Sequence, residues 1–145
     1  MIGIRSILGA AAIGVMAPGA GAAGAAGVFD YFRMPSGNIY CGYVKVSFAP
    51  TELRCEIRSH VRPLPPRPKA CGDAVWGAGY SMGRLDRPSV LCITDTIYSP
   101  TARVIPYGST YRRDVFTCLS RAAGLRCTNG AGHGFFLSRE HSYSF

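Results

Sequence analysis

The stretch NIYCGYVKVSFAPTELRCEI, residues 38–57, decides the fold class. Apolar residues occupy both parities of its first half: Tyr40, Val44, Val46 and Phe48 on one, and Ile39, Cys41 and Tyr43 on the other. Alternation of β-branched and aromatic residues with a period of two predicts a strand over 38–48. A turn at 49–51 would then lead into a second strand over 53–57, which makes the stretch a β-hairpin.

Further short runs of the same kind follow, spaced by about eight to twelve residues with turn residues between them. They cover residues 89–94, 102–107, 114–120, 124–129 and 134–139. Eighteen glycines and ten prolines interrupt the chain, which argues against long helices. We therefore predict a single all-β or mainly β domain over residues 28–145, a small antiparallel sandwich or barrel-like unit.

The cysteines predict a disulfide framework. The chain has six, an even number, and all of them follow residue 40: Cys41, Cys55, Cys71, Cys92, Cys118 and Cys127. Six cysteines allow fifteen pairings. Two segments resemble each other: each is a strand with a cysteine, a turn and then Leu-Arg-Cys. Hairpins can therefore bring Cys41 within disulfide distance of Cys55, and Cys118 within disulfide distance of Cys127. Cys71 and Cys92 then remain for each other, and this local pairing is our prediction.

Metal binding is not predicted. There is no C-x-x-C pair, and His60, His133 and His141 lack the usual ligand spacing. We accordingly expect neither a metal nor a cofactor.

The N-terminal segment is typical of a secretory signal peptide. Residues 1–25 carry one charge, Arg5, then an apolar run over 7–17, a break at Pro18 and a series of small residues. We expect cleavage within residues 22–27 and a secreted or periplasmic product. The alternative is an uncleaved anchor, which would bring the protein to a membrane. A spanning helix wants roughly 20 strongly apolar residues, and this stretch is mostly Gly and Ala.

The chain is basic, with a formal net charge of +8. Such a charge attracts anionic polymers or acidic proteins, although it can also serve only solubility. Because the arginines are scattered and the chain looks exported, we expect no nucleic-acid binding. Arg54 and Arg126 hold equivalent places in the two Leu-Arg-Cys segments, so together they could form a basic face. The proline-rich stretch over 62–70 predicts a stiff extended strap within the domain.

Several stretches together resemble a family of small exported bacterial proteins known only as a domain of unknown function. The stretches are FRMPSGNIYC (32–41), LRCEI (53–57), CITDT (92–96), IPYG (105–108), FTC (116–118) and GLRCTNGAGHGFFLSRE (124–140). The likeness covers residues 32–145. It implies an exported, disulfide-bonded domain and implies no activity.

His133 lies between two glycines, and two roles are open for it. As a functional residue it could contact a bound ligand, or act as a general base with Asp95 and with Ser138 or Ser36 as a hydrolytic set. No nucleophile-elbow pattern surrounds either serine. As a turn residue, His133 would cap a loop for which Asn129-Gly130 and Gly132 supply the turn conformation. We favour the structural role, and we likewise interpret Ser36-Gly37-Asn38 as a turn.

Three other side chains are candidates for binding. Trp76, the only tryptophan, and Tyr80 have glycine neighbours that could leave flat ring faces accessible to a sugar. Filling a small core is the commoner role of a lone tryptophan. Arg139 could bind a ligand, pair with Glu140 or simply be solvated.

Taken together, the sequence predicts an exported, non-catalytic binding module whose partner is an anionic envelope polymer or a secreted protein. The alternative is a small hydrolase of envelope polymers that uses His133 with Asp95.

Overall fold

The computed structural model describes residues 26–145, together with Gly14 and Gly19. Apart from those two glycines, the predicted signal peptide and its cleavage region up to residue 25 lie outside the described residues. The described part contains eleven strands and a three-residue 3-10 helix, Lys69–Cys71. The strands are β1 (Val28–Arg33), β2 (Ile39–Val46), β3 (Ala49–Ile57), β4 (Val75–Gly83), β5 (Ser89–Ile93), β6 (Arg103–Val104), β7 (Thr110–Arg113), β8 (Phe116–Arg121), β9 (Gly124–Thr128), β10 (Gly134–Leu137) and β11 (Ser142–Ser144).

The strands form two sheets, which confirms the all-β fold class. The first sheet has the order β5-β4-β3-β2-β1-β6 and the second has the order β11-β10-β9-β8-β7. The pairings are antiparallel except for the short one between β1 and β6. This mostly antiparallel arrangement follows from the short connections between successive strands.

The hairpin predicted from residues 38–57 is present, but its turn was placed wrongly. The turn lies at Ser47 and Phe48, and residues 49–51 belong to β3. Pro50 is tolerated there because β4 pairs with β3 only from Glu52 onward, so the missing N–H interrupts no ladder on that side. A bulge between Val44 and Val46 adjusts the register before the turn.

All three predicted disulfides are present. Cys41 faces Cys55 across β2 and β3 with a Cα–Cα distance of 4.1 Å, and Cys118 faces Cys127 across β8 and β9 at 4.0 Å. Both bridges point into the core, because each cysteine has the inward parity of its strand. The third bridge joins Cys71, at the end of the 3-10 helix, to Cys92 in β5.

Both sheets contribute to one buried core. Phe32 of the first sheet stacks on Tyr111 of the second with 4.1 Å between ring centroids, and Tyr80 stacks on Phe135 at 5.4 Å. The Tyr111 hydroxyl donates to Asp30 at 3.2 Å. Burial, with Asp30 beside it, raises the pKa of Tyr111 well above that of a free tyrosine. The sheets therefore pack inner face to inner face.

Sequence patterning missed four strands: β1, β4, β7 and β11. In β4, Gly77 and Gly79 hide the strand pattern, yet both have positive φ, at 81° and 152°, and the pairing with β5 shifts register between Trp76 and Tyr80. A side chain at Gly79 would collide with the Cys55 carbonyl, so the glycine permits close approach to β3. Conversely, the strand predicted over 102–107 shrinks to β6, since Pro106 cannot donate to a ladder.

The proline-rich strap predicted over residues 62–70 has no strand, but it extends only to Pro68, because the 3-10 helix begins at Lys69. Pro68 has φ −70° and ψ 145°, the polyproline II conformation. Trp76 Nε1 donates to the Pro65 carbonyl at 2.7 Å. Arg67 donates from Nη1 to the carbonyls of Gly72 and Ala74. Hydrogen bonds therefore join the strap to β4 and to the segment between the 3-10 helix and β4.

Candidate binding site

Four turns at one end of the molecule enclose a cleft of about 470 Å³. They are the β1–β2 turn, the loop before β7, the β8–β9 turn and the β10–β11 turn. The polar residues that line the cleft are Ser36, Asn38, Tyr107, Ser138, Arg139, Glu140 and His141. The cleft thus brings together residues of two of the stretches quoted above, FRMPSGNIYC and GLRCTNGAGHGFFLSRE.

The β1–β2 turn is rigidly built. Gly37 has φ 65°, and its N–H donates to the Met34 carbonyl at 3.0 Å. The N–H of Asn38 donates to Ser36 Oγ at 3.3 Å, and its side-chain amide donates to Ser59 Oγ at 3.3 Å. This confirms the predicted turn at residues 36–38 and fixes the Asn38 amide in the wall of the cleft.

The β10–β11 turn is fixed by one serine. Ser138 Oγ accepts from the N–H groups of Glu140 and His141, at 3.3 and 3.0 Å, and donates to the His141 carbonyl at 2.7 Å. Arg139 and Glu140 project from this turn and are exposed. No ion pair joins them to each other or to another group within residues 26–145. The charged groups of Arg139 and Glu140 are therefore exposed where the cleft opens to solvent.

An aromatic platform continues from the cleft over the outer face of the second sheet. We use this name for Phe136, His141, Tyr143, Phe145 and Arg126. Phe136 of β10 and Tyr143 of β11 are cross-strand partners whose ring centroids lie 5.4 Å apart. Arg126 of β9 pairs with Phe136, and its guanidinium lies 4.3 Å from the centroid of the Phe145 ring. This arrangement is a cation–π contact on an exposed sheet face.

His141 connects the platform to the cleft. It lines the cleft, and its ring lies 5.2 Å from that of Phe136 and 6.0 Å from that of Tyr143. Gly134 makes room on the other side, because a side chain there would lie 2.7 Å from the Phe145 ring. The cleft and the platform therefore form one continuous surface.

This surface belongs to a basic sheet. The five strands of the second sheet contain Arg112, Arg113, Arg121 and Arg126 and no aspartate or glutamate. The acidic residues of this half, Asp114 and Glu140, lie in turns. A flat aromatic face with cationic neighbours can stack on an apolar ring face and pair with a carboxylate or phosphate at the same time.

The binding residues predicted from sequence are dispersed. Tyr80 is 6% exposed and stacks in the core, so the prediction of an accessible ring there was wrong. Trp76 is half-buried, with its N–H bonded to the strap. Arg126 and Arg139 lie on the platform and at the cleft. The other platform residues were not predicted, although His141, Tyr143 and Phe145 follow a period of two.

Arg54 and Arg126 do not share a face. Each lies between inward-pointing neighbours and points outward, as predicted, but Arg54 belongs to the first sheet and Arg126 to the second. Because the sheets pack inner face to inner face, their outer faces lie on opposite sides of the molecule. The prediction that Arg54 and Arg126 form a joint basic face was therefore wrong.

His133 and Asp95 are not brought together either. The His133 loop contacts the β4–β5 turn, where Asn129 Nδ2 donates to the carbonyls of Gly83 and Asp86 at 3.0 and 2.8 Å. Asp95 follows the opposite end of β5, a strand of five residues, which spans about 16 Å. Its carboxylate accepts from Arg54. Ser36 and Ser138, the two candidate nucleophiles, line the cleft or its turns without either partner.

The predicted turn before β10 is present, with Gly132 at φ 79°. Its capping group, however, is the Asn129 side chain. Asn129 Oδ1 accepts from the N–H groups of Ala131 and His133, both at 3.1 Å. His133 contributes its backbone, which bonds to Asn129 in both directions. The capping role was thus assigned to the wrong side chain.

The fold and surface define a small β protein of two sheets, held by three disulfides, with an aromatic and basic outer face. The chain belongs to a family of unknown function, DUF6636, whose model matches residues 11–145. No curated protein and no protein of solved structure shows significant similarity to it. Within the described residues, no helix has the length and apolarity of a membrane span, and no group of three or more metal-ligating side chains converges.

Proposed function

We propose that the protein is exported and acts as a non-catalytic module that binds an anionic polysaccharide of the cell envelope or its surroundings. The platform carries this proposal, because it combines exposed ring faces with Arg126 on a sheet whose strands hold no carboxylate. Sugar rings offer apolar faces for stacking, and acidic groups on the sugar pair with guanidinium.

Export is supported by two independent features. The first is the N-terminal segment, with its charge, apolar run and small residues. The second is the complete pairing of the cysteines, since three disulfides are consistent with an oxidising compartment. The intact mass of the product recovered outside the cytoplasm tests this. We expect a mass that lacks the first 22–27 residues, whereas a full-length mass would contradict cleavage.

The cleft extends the platform and provides hydrogen-bonding groups. Asn38, Tyr107 and Glu140 are side chains that can donate to or accept from sugar hydroxyls, and Arg139 adds a second cation. A polymer stacked on the platform would direct its next unit past His141 into the cleft. The hydrolase alternative has less support, because His133 and Asp95 lie at opposite ends of β5.

The proposal is tested by retention of the purified protein on immobilised polygalacturonate, with immobilised neutral dextran as the reference. We expect specific retention on the acidic polymer, reduced about tenfold in affinity by Tyr143→Ala or Arg126→Gln. The matched control is Arg87→Gln, which removes the same charge from an exposed residue of the β4–β5 loop that is not part of the platform. Equal losses for Arg126→Gln and Arg87→Gln would show that net charge alone causes retention and would overturn the proposal.

A further inference from the structure

The three disulfides differ sharply in their surroundings. The four cysteines of the Cys41–Cys55 and Cys118–Cys127 bridges are at most 1% exposed. Cys92, in contrast, is exposed, and its partner Cys71 is 5% exposed. The difference follows from topology, because Cys92 lies on β5, the edge strand of the first sheet, where only β4 covers it.

The surface around the third bridge is open on two sides. One hollow of about 450 Å³ is lined by both Cys71 and Cys92, with Trp76 and Pro65 beside them. A second hollow, of about 730 Å³, borders Cys71 from the side of Val75 and Ile93. A reagent can therefore approach this bridge without any displacement of the core, which the other two bridges require.

From these observations we propose that Cys71–Cys92 is a site of thiol–disulfide exchange with external dithiols, distinct from the binding surface proposed above. Exchange proceeds by attack of a thiolate on one sulfur of the bridge, so access to that sulfur controls its rate. The attacked sulfur is that of Cys92, the more exposed of the two residues. The Cys92–Cys71 bond breaks, a mixed disulfide forms at Cys92, and Cys71 leaves as a thiolate.

The second thiol of the dithiol completes the reaction. It attacks the reagent's own sulfur in the mixed disulfide, which releases Cys92 as a thiolate and leaves the dithiol oxidised to a disulfide. The protein gains two electrons, and the two cysteine thiolates take up protons from solvent. The 3-10 helix that follows the strap would lose its covalent link to β5, while the strap would keep its hydrogen bonds through Trp76 and Arg67.

The chain contains its own reporter of this reaction. Trp76, the sole tryptophan, is the cross-strand partner of Cys92 and lines the same hollow. Disulfides quench indole fluorescence on contact, so reduction should raise the emission of Trp76. The emission reports on this bridge, because the only tryptophan of the chain is the cross-strand partner of Cys92.

The test is graded reduction of the folded protein by dithiothreitol, followed by alkylation and peptide mass spectrometry. We expect Cys71 and Cys92 to be alkylated at least about tenfold faster than the other four cysteines, because reduction of the core bridges must wait for opening of the fold. Trp76 emission should rise at the same rate, with the far-ultraviolet circular dichroism unchanged. Loss of all three bridges at one rate would overturn the proposal.

Variants in which one cysteine of this bridge is replaced by serine test which sulfur is attacked. In Cys71→Ser the free Cys92 thiol should form a mixed disulfide with oxidised glutathione several-fold faster than the free Cys71 thiol does in Cys92→Ser. Equal or reversed rates would contradict the assignment of Cys92 as the attacked sulfur. Both variants retain the two core bridges, and their circular dichroism verifies that the sheets are intact.

Discussion

The β2–β3 and β8–β9 hairpins start from the same local sequence and end with different surfaces. Each places a disulfide between directly opposed cysteines in the core, and each carries Leu-Arg-Cys on its second strand. On the first hairpin the segment Asp95–Tyr98 covers the outer face, where the tilted rings of Tyr98 and Tyr40 pack with their centroids 4.6 Å apart. On the second hairpin the outer face carries the exposed platform.

Arg54 and Arg126 differ in their surroundings in the same way as the two outer faces. The Arg54 side chain is 18% exposed and contacts both Glu56 and Asp95, while the Arg126 side chain lies over Phe145 and has no ion-pair partner within residues 26–145. Local sequence therefore determines that each arginine points outward. Its role is determined by which distant segment packs above it, and the same motif can thus serve structure on one sheet and binding on the other.

The largest expected effect tests what the hairpins share. The double variants Cys41→Ala/Cys55→Ala and Cys118→Ala/Cys127→Ala should each lose about 2–5 kcal/mol of unfolding free energy. Their sequence separations of 14 and 9 residues imply losses that differ by only about 0.4 kcal/mol. Urea unfolding measures both. A loss in one hairpin more than twice that in the other would show that the bridges are not equivalent.

The next prediction concerns the two arginines. Arg54→Ser should cost about 2–3 kcal/mol, because it leaves the Glu56 carboxylate buried without its cation. Arg126→Ser should cost less than about 0.5 kcal/mol, as is usual for an exposed side chain.

The Glu56→Gln background provides the control for this pair. Glu56 also accepts from Thr96 Oγ1 at 2.6 Å and from the Ile97 N–H at 3.1 Å, so the amide keeps one acceptor while losing the charge. Arg54→Ser should cost distinctly less in that background. An equal cost would mean that Arg54 stabilises the first hairpin by packing alone.

A third prediction concerns the connection from β9 to β10, which ties the second hairpin to the first sheet. Asn129 is 6% exposed, and its side chain takes part in four hydrogen bonds. Asn129→Ala should therefore cost about 2–3 kcal/mol. His133→Ala should change stability by less than about 0.5 kcal/mol, since the loop uses its backbone. Thermal unfolding of both variants decides between the two residues.

The hairpins and their disulfides could be predicted because period-two alternation and cysteine spacing are local signals. The platform could have been found in part, since His141, Tyr143 and Phe145 alternate. Local patterns could not predict which outer sheet face remains exposed to solvent. Tyr80 looked accessible between glycines, but Gly77 and Gly79 shift the register of β4 and direct its ring into the core. The packing of Asp95–Tyr98 on the first sheet joins residues about forty positions apart.

The last prediction uses pH to compare the buried tyrosines beside the hairpins, Tyr43 in β2 and Tyr111 in β7. Burial raises the pKa of both, and Asp30 adds to the effect at Tyr111. A tyrosine in the unfolded chain loses its proton near pH 10, whereas a tyrosine whose pKa is raised by folding keeps its proton to higher pH. Above pH 10 the folded state therefore binds more protons than the unfolded state. Stability should therefore be constant for these groups below pH 10 and should fall above it, by up to about 1.4 kcal/mol per pH unit for each tyrosine. Tyr111→Phe should flatten this alkaline limb in urea unfolding between pH 9 and 11. An unchanged slope would mean that the hydroxyl ionises as readily in the folded protein as in the unfolded chain.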